Sequence, residues 1–445
     1  MIKILMPKNN INEREYIINV IFNEFLNLEY SIELSKCNNY EILLVKGKSI
    51  VVEDHFFNKY PEELSYLDLT NIPKKVNYAK NDFIPENDIP VIFGSNKLET
   101  GNDLIRCGID IFASSFFMLT RWEEYVNKTR DRHGRFPAVE SLAYKNRFLK
   151  RPVVNEYVEM LWNMLISLDP GLSRKSRTYN LTLTHDVDAP FKYYGIKGGT
   201  KDLVNDLFIK KNLKLFYRHF SDKLKTHLKL MEDPFDTYGV FMNLSEKLNV
   251  KSYFFFMVHG KSKFDAKYKL NSKRLTKVFE SIKRRGHKTG IHPSYNAYND
   301  KHLFTKEKKA LEKYMGSVTC GREHFLRYEV PVTWQIWEDN DMKWDSTLGY
   351  ADKNGFRCGV CYEYSVFNIL TRKKLKLKEK PLIVMDTTYI MYNADKDEST
   401  VEQDFRFLTA KVKRYNGDLV VLWHNSNFEH HVVWNIFDRV LREFS

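Results

Sequence analysis

Apolar and polar positions follow different periods in two parts of the chain. Over residues 1–100, short apolar runs at 41–45, 50–52 and 90–94 are set among polar, Asn-rich connections. Runs of that length between turn-forming residues predict a small α/β or α+β unit. From 109 to 125 the side chains are apolar nearly all round at first and amphipathic afterwards, which predicts a buried helix that surfaces at Arg121 and Glu123. Pro152 sits at a first-turn position ahead of a stripe formed by Val154, Val158, Leu161 and Leu165, and Asp169-Pro170-Gly171 ends that helix. Residues 173–178 read as a linker between a domain over 1–172 and a second over 179–445.

Beyond the linker, strand-like and helix-like segments alternate. Strands are predicted at 179–184, 250–258, up to about 291, 381–386 and 418–424. Helices are predicted from Ser272 (with Leu275, Val278, Phe279 and Ile282 on one face and Gly286 as the stop), at 401–415 and at 432–441. Such alternation argues for an α/β fold, a largely parallel sheet or barrel covered by helices, with its chemistry at the C-terminal ends of the strands.

Composition narrows the class. The 445 residues are 43% hydrophobic and 29% charged, which excludes a disordered chain, and 19 Gly with 13 Pro exclude a collagen-like one. No apolar run reaches the ~18 residues needed to span a bilayer. The first residues lack the apolar core and cleavage site of an export signal, and five scattered cysteines suit a reducing compartment, so a cytoplasmic location is expected. Cys358 and Cys361 have redox spacing but read as small residues packed beside a strand.

The formal net charge is +13, and its excess is C-terminal. Between Lys201 and Lys229, Lys210, Lys211, Lys214, Arg218, Lys223 and Lys225 interleave with Leu203, Leu207, Phe208, Phe216, Phe220, Leu224 and Leu228. Two readings follow: a packed helix with a solvated lysine face, which is the one expected, or a surface helix that meets anionic lipid headgroups, peripherally at an inner membrane, or an anionic glycan. Nucleic acid is not expected, because no zinc finger or aromatic RNA-binding pattern accompanies the charge.

Four polar clusters fall at strand ends. They are Thr184-His185-Asp186-Val187-Asp188, Gly286-His287-Lys288-Thr289-Gly290-Ile291-His292-Pro293-Ser294-Tyr295-Asn296, Arg322-Glu323-His324-Phe325-Leu326-Arg327, and Leu422-Trp423-His424. Carboxylates two apart on a strand project to the same side, so one can bind metal while the other serves as a base. His185 points to the opposite face, where it would support the site from behind, and His259 and His287 read as structural or exposed.

In that order, Asp-x-Asp, Gly-His-x-x-Gly-x-His, an Arg-bearing segment and Leu-x-His, residues 179–445 resemble the polysaccharide deacetylases, carbohydrate esterase family 4. The resemblance implies a distorted (β/α) barrel that removes acetyl groups from N-acetylated sugars with a divalent metal, most commonly Zn2+. Carried over by position, it gives Asp186 as the general base, Asp188 and His292 as metal ligands, and His424 as the acid that protonates the leaving nitrogen. The substrate it implies is an N-acetylated sugar or glycan of a bacterial surface polysaccharide. Residues 1–178 are similar to a domain that precedes deacetylase-like domains in bacteria, through the stretch at 110–125, Asp131-Arg132-His133-Gly134-Arg135-Phe136 and Arg151-Pro152.

The chain departs from the pattern at Asn296, where the family places a second metal histidine. Either His324 supplies that ligand, which is the expectation, or Asn296 and water complete an oxygen-rich site. A third alternative is a fold that binds or scaffolds carbohydrate without turnover. Arg322, Arg327, Tyr295 and Asp345 are candidate substrate-binding or orienting groups, with Asp386 in a similar position. Trp334 and Trp423 would stack on sugar if exposed and belong to the core if not.

Overall fold

The computed structural model describes residues 2–194, 198–258, 260–265 and 267–444, with the side chains of 201 and 202 left undescribed. His259 therefore lies outside the described residues. The chain forms two compact units. One comprises Met1–Asn180, Phe325–Ile383 and Phe407–Leu419, the other Leu181–His324, Val384–Arg406 and Val420–Ser445. The chain first passes from one unit to the other between Asn180 and Leu181. The return of 325–383 and 407–419 to the first unit was not legible, because a contiguous sequence pattern does not report which unit a later segment packs into.

The first unit holds a six-stranded mixed sheet in the order Tyr30–Ser35, Ile2–Pro7, Tyr40–Leu43, Ser49–Val52, Leu104–Ile109, Gly94–Thr100. The predicted runs at 41–45 and 50–52 are the antiparallel pair Tyr40–Leu43 and Ser49–Val52. The helix Ile111–Thr120 is buried along its whole length, and Asp110 caps it by accepting the Ala113 N–H at 2.9 Å.

That helix does not surface where expected. Arg121, Glu123 and Glu124 are all buried. Arg121 Nε donates to Glu124 Oε1 at 2.9 Å, and Arg357 Nε donates to the same oxygen at 2.9 Å. Periodicity reads charge as exposure, whereas charges that find partners within hydrogen-bond reach can stay inside. The helix Val153–Leu168 buries the stripe predicted for it. Trp334 is a core residue whose Nε1 donates to Glu379 at 3.1 Å, and Cys358 and Cys361 are buried and unlinked.

The second unit is built on neighbouring strands in the order Cys320–Gly321, Lys288–His292, Ser252–Met257, Asn180–Val187, Asp418–Leu422, Val384–Met385. Their registered pairings are parallel, with Phe255 opposite Asp186 and Gly290. Helices alternate with them. Lys273–Arg284 starts at Ser272, whose hydroxyl accepts the Leu275 N–H, and buries Leu275, Val278, Phe279 and Ile282 as the spacing predicts. The fold is thus α/β, and among the described residues no pairing closes these strands into a barrel.

Two expectations resolve here. Trp423 is buried against Trp434 and Phe437 and is a core residue. The basic stretch does form a helix, Leu213–His227, but none of its residues is buried, so the packed-helix reading is overturned. Its apolar stripe exists as predicted and faces the wrong way for a core. No helix of the described residues is long and apolar enough to cross a membrane.

Candidate metal centre and its flanking acid and base

Parallel strands end on one edge of a sheet, and the side chains just past those ends converge. In the second unit this brings together Asp188 (after Asn180–Val187), His292 (the last residue of Lys288–His292) and His324 (three residues after Cys320–Gly321). One ligand-type atom from each lies within 4.8 Å of the other two. His292 Nε2 is 3.2 Å and His324 Nε2 is 3.7 Å from Asp188 Oδ1. The two rings meet edge to face, with centroids 5.0 Å apart.

The hydrogen bonds fix what these atoms can offer. His292 Nδ1 is 2.7 Å from the Arg322 carbonyl, which only accepts, so Nδ1 carries a proton. In the neutral ring Nε2 then holds a lone pair aimed at Asp188. Burial alone would depress the His292 pKa, but Asp186 and Asp188 hold it above its ordinary value. Burial opposes ionisation of Asp188 as well, and His292, His324 and His424 nevertheless hold its carboxyl far below the usual range. Burial lowers the His324 pKa against the pull of Asp265 and Asp188, which favours the neutral, ligating form of that ring.

Two nitrogens and a carboxylate oxygen, with ring orientations set from behind, are a donor set suited to a divalent ion that keeps a position open. Asp265 is part of that backing. Its Oδ1 lies 3.6 Å from His324 Nδ1 and accepts the Tyr295 N–H at 2.7 Å, while Oδ2 accepts the Ser262 N–H at 2.7 Å. Sequence reasoning missed Asp265, which sits in a loop with no strand end, repeat or spacing to mark it. Asn296, where the resemblance led one to expect a histidine, is exposed.

A carboxylate and a further histidine flank the cluster. Asp186 is buried, and Arg322 Nη1 donates to its Oδ1 and to Thr184 Oγ1, each at 2.9 Å. Its Oδ2 lies 3.9 Å from His292 Nδ1. Opposite, His424 Nε2 is 4.0 Å from Asp188 Oδ2, and its Nδ1 is 2.8 Å from Asp386 Oδ1. Asp386 also accepts the His424 N–H at 2.7 Å, the Thr387 N–H at 2.7 Å and Asn427 Nδ2 at 3.0 Å. Burial would lower the His424 pKa, but the Asp386 carboxylate pushes it up to about 10, so the ring is an imidazolium at neutral pH.

The remaining candidates are placed as follows. Tyr295 is half-buried beside this cluster, its ring 6.4 Å from His324 and 4.6 Å from Phe264. His185 lies on the other face of its strand as expected, but in the core. It stacks on Phe241 at 4.2 Å and is bonded to the Trp423 carbonyl and Ser252. His287 is structural, accepting the Ser252 N–H at 3.1 Å.

Arg327 and Asp345 belong to the first unit and are not part of this cluster. Arg327 Nε donates to the His133 carbonyl at 2.8 Å. Asp345 is fully buried and accepts the Thr347 N–H at 3.0 Å. Their sequence neighbours made them look like site residues, but the chain leaves the second unit directly after His324.

Residues 2–170 match a family of unknown function, DUF7033. A solved structure of a Mycobacterium smegmatis protein, provisionally described as a polysaccharide deacetylase, aligns with a TM-score of 0.39 and 16% identity over 61% of this chain and 86% of that one. No curated protein matches the chain.

Proposed function

We propose that the second unit is a metal-dependent N-deacetylase acting on an N-acetylated sugar of a bacterial surface polysaccharide or its precursor. The observation that carries this reading is the convergence of Asp188, His292 and His324 between a buried Asp–Arg pair and a His–Asp dyad. On this reading the open run of parallel strands is a distorted deacetylase-type barrel, and the ion is Zn2+.

Asp188, His292 and His324 would hold the ion, which when bound polarises the amide carbonyl and acidifies water. Asp186 takes the proton of the attacking water. Arg322 fixes the orientation of that carboxylate through Oδ1, while Oδ2, not engaged by Arg322, lies 3.9 Å from the His292 ring. His424 gives its Nε2 proton to the departing nitrogen, which must leave as an amine because an amide anion is too basic. Asp386 holds the opposite nitrogen and keeps the ring charged until that transfer. The half-buried Tyr295 ring offers a face on which a sugar can stack.

The test is acetate release from a panel of N-acetylated amino sugars and oligosaccharides by chelator-treated protein with and without added Zn2+. Metal-dependent acetate from at least one substrate is expected. Sugar binding without acetate, with the metal loaded, would contradict the proposal and favour a carbohydrate-binding protein.

A further inference from the structure

The helix Leu213–His227 is turned inside out relative to an ordinary surface helix. At about 100° per residue, Leu213, Tyr217, Phe220, Leu224 and the following Leu228 share a stripe about 80° wide. These five side chains are 50–66% exposed. The side facing the protein carries His219, whose Nδ1 sits 2.6 Å from the buried Asp206 carboxylate, with Leu215 and Phe216 half-buried beside it. A core-packed helix would bury the stripe and expose His219.

The stripe continues at both ends. Phe208 and Ile209 precede the helix and Leu230 follows it, each more than two-thirds exposed. Alongside the stripe, at about 100–140° from Leu213, lie Lys214, Arg218 and Lys225. An apolar strip bordered by cations is complementary to an anionic bilayer surface, where apolar side chains enter the acyl boundary and cations meet headgroups. A second copy of the chain fits less well, because it supplies no anionic partner for the cations and an antiparallel two-fold pairing would set two cationic borders side by side.

We propose that the helix Leu213–His227, with the exposed apolar residues Phe208, Ile209 and Leu230 at its ends, docks the protein on an anionic lipid bilayer, independently of the chemistry at the metal centre. The full-length chain should sediment with phosphatidylcholine vesicles that contain phosphatidylglycerol and not with phosphatidylcholine alone. Binding should weaken as salt is raised. Each cation at a membrane surface contributes about five-fold in affinity, so the triple variant Lys214→Gln/Arg218→Gln/Lys225→Gln should bind about 100-fold more weakly. Phe220→Ser/Leu224→Ser, which changes only exposed residues, should lose about ten-fold or more.

Wild-type protein that ignores anionic vesicles at low salt would overturn the proposal. So would a Phe220→Ser/Leu224→Ser variant that binds like wild type, since adsorption would then be electrostatic alone. Light scattering that finds a dimer dissolved by Phe220→Ser, without vesicle binding, would assign the face to a second copy instead.

Discussion

Replacing Asp386 with Asn removes one negative charge while keeping the side-chain shape, and the geometry leaves the amide nowhere to fit. Donors face both carboxylate oxygens: Thr387 N–H, the Thr387 hydroxyl and His424 Nδ1 at Oδ1, and His424 N–H and Asn427 Nδ2 at Oδ2. Either orientation of the new amide therefore turns an NH2 group toward a donor. The His424 pKa, held at about 10 against an ordinary 6.5, should fall back toward neutrality. At 1.36 kcal/mol per unit, that difference corresponds to at most about 5 kcal/mol of coupling.

The sign follows from the raised value. His424 contributes its stability fully below pH 6.5 and loses it as pH rises toward 10, so Asp386→Asn should destabilise more at pH 6 than at pH 10. Histidine-labelled, metal-free protein followed by NMR gives the ring pKa directly, and urea unfolding of both proteins at the two pH values gives the linkage. In wild type the ring should stay protonated at pH 8; in the variant it should titrate well below 10, with only Asp188 and Asp186 left to raise it. A variant ring that still titrates near 10, or a destabilisation independent of pH, would refute the dyad as the source of the charge.

Asp186→Asn should retain one metal ion per chain while acetate release falls by about 10²–10⁴, the usual worth of a general base, and wild-type turnover would remove Asp186 from that role. Glu307, buried and accepting the Ser294 N–H at 2.8 Å, is pushed by burial up to about 7, so its ionisation costs stability as pH rises from about 4.5 to 7. Glu307→Gln should therefore be more stable than wild type at pH 8, by up to about 3 kcal/mol, and nearly equal to it at pH 5. Urea midpoints whose difference does not change with pH would contradict this.

Much of the second unit was legible because its signals are local. Ser272 capping, the Leu275–Ile282 stripe and the strand ending at His292 are each set by near neighbours in sequence. The positions of Asp186, Asp188, His292 and His424 were legible because strand ends in a parallel sheet share an edge. What escaped depended on tertiary partners. Arg121 and Glu123 are inside because other charges meet them there, and Asp265 matters only because His324 comes within 3.6 Å of it. Asp386 was marked only as a strand-end carboxylate, and its pairing with His424 needed the fold. The basic helix was recognised as amphipathic, but which face turns outward is not written in its periodicity.

On the proposed reading His324, rather than Asn296, completes a three-ligand metal centre with Asp188 and His292. Calorimetric titration of Zn2+ into chelator-treated protein tests it most directly. One ion per chain is expected, bound more tightly as pH rises because His292 must give up a proton. His324→Ala should weaken binding by at least about 100-fold, as His292→Ala does, and Asn296→Ala should change it little. Full affinity in His324→Ala, or a loss confined to Asn296→Ala, would contradict the claim.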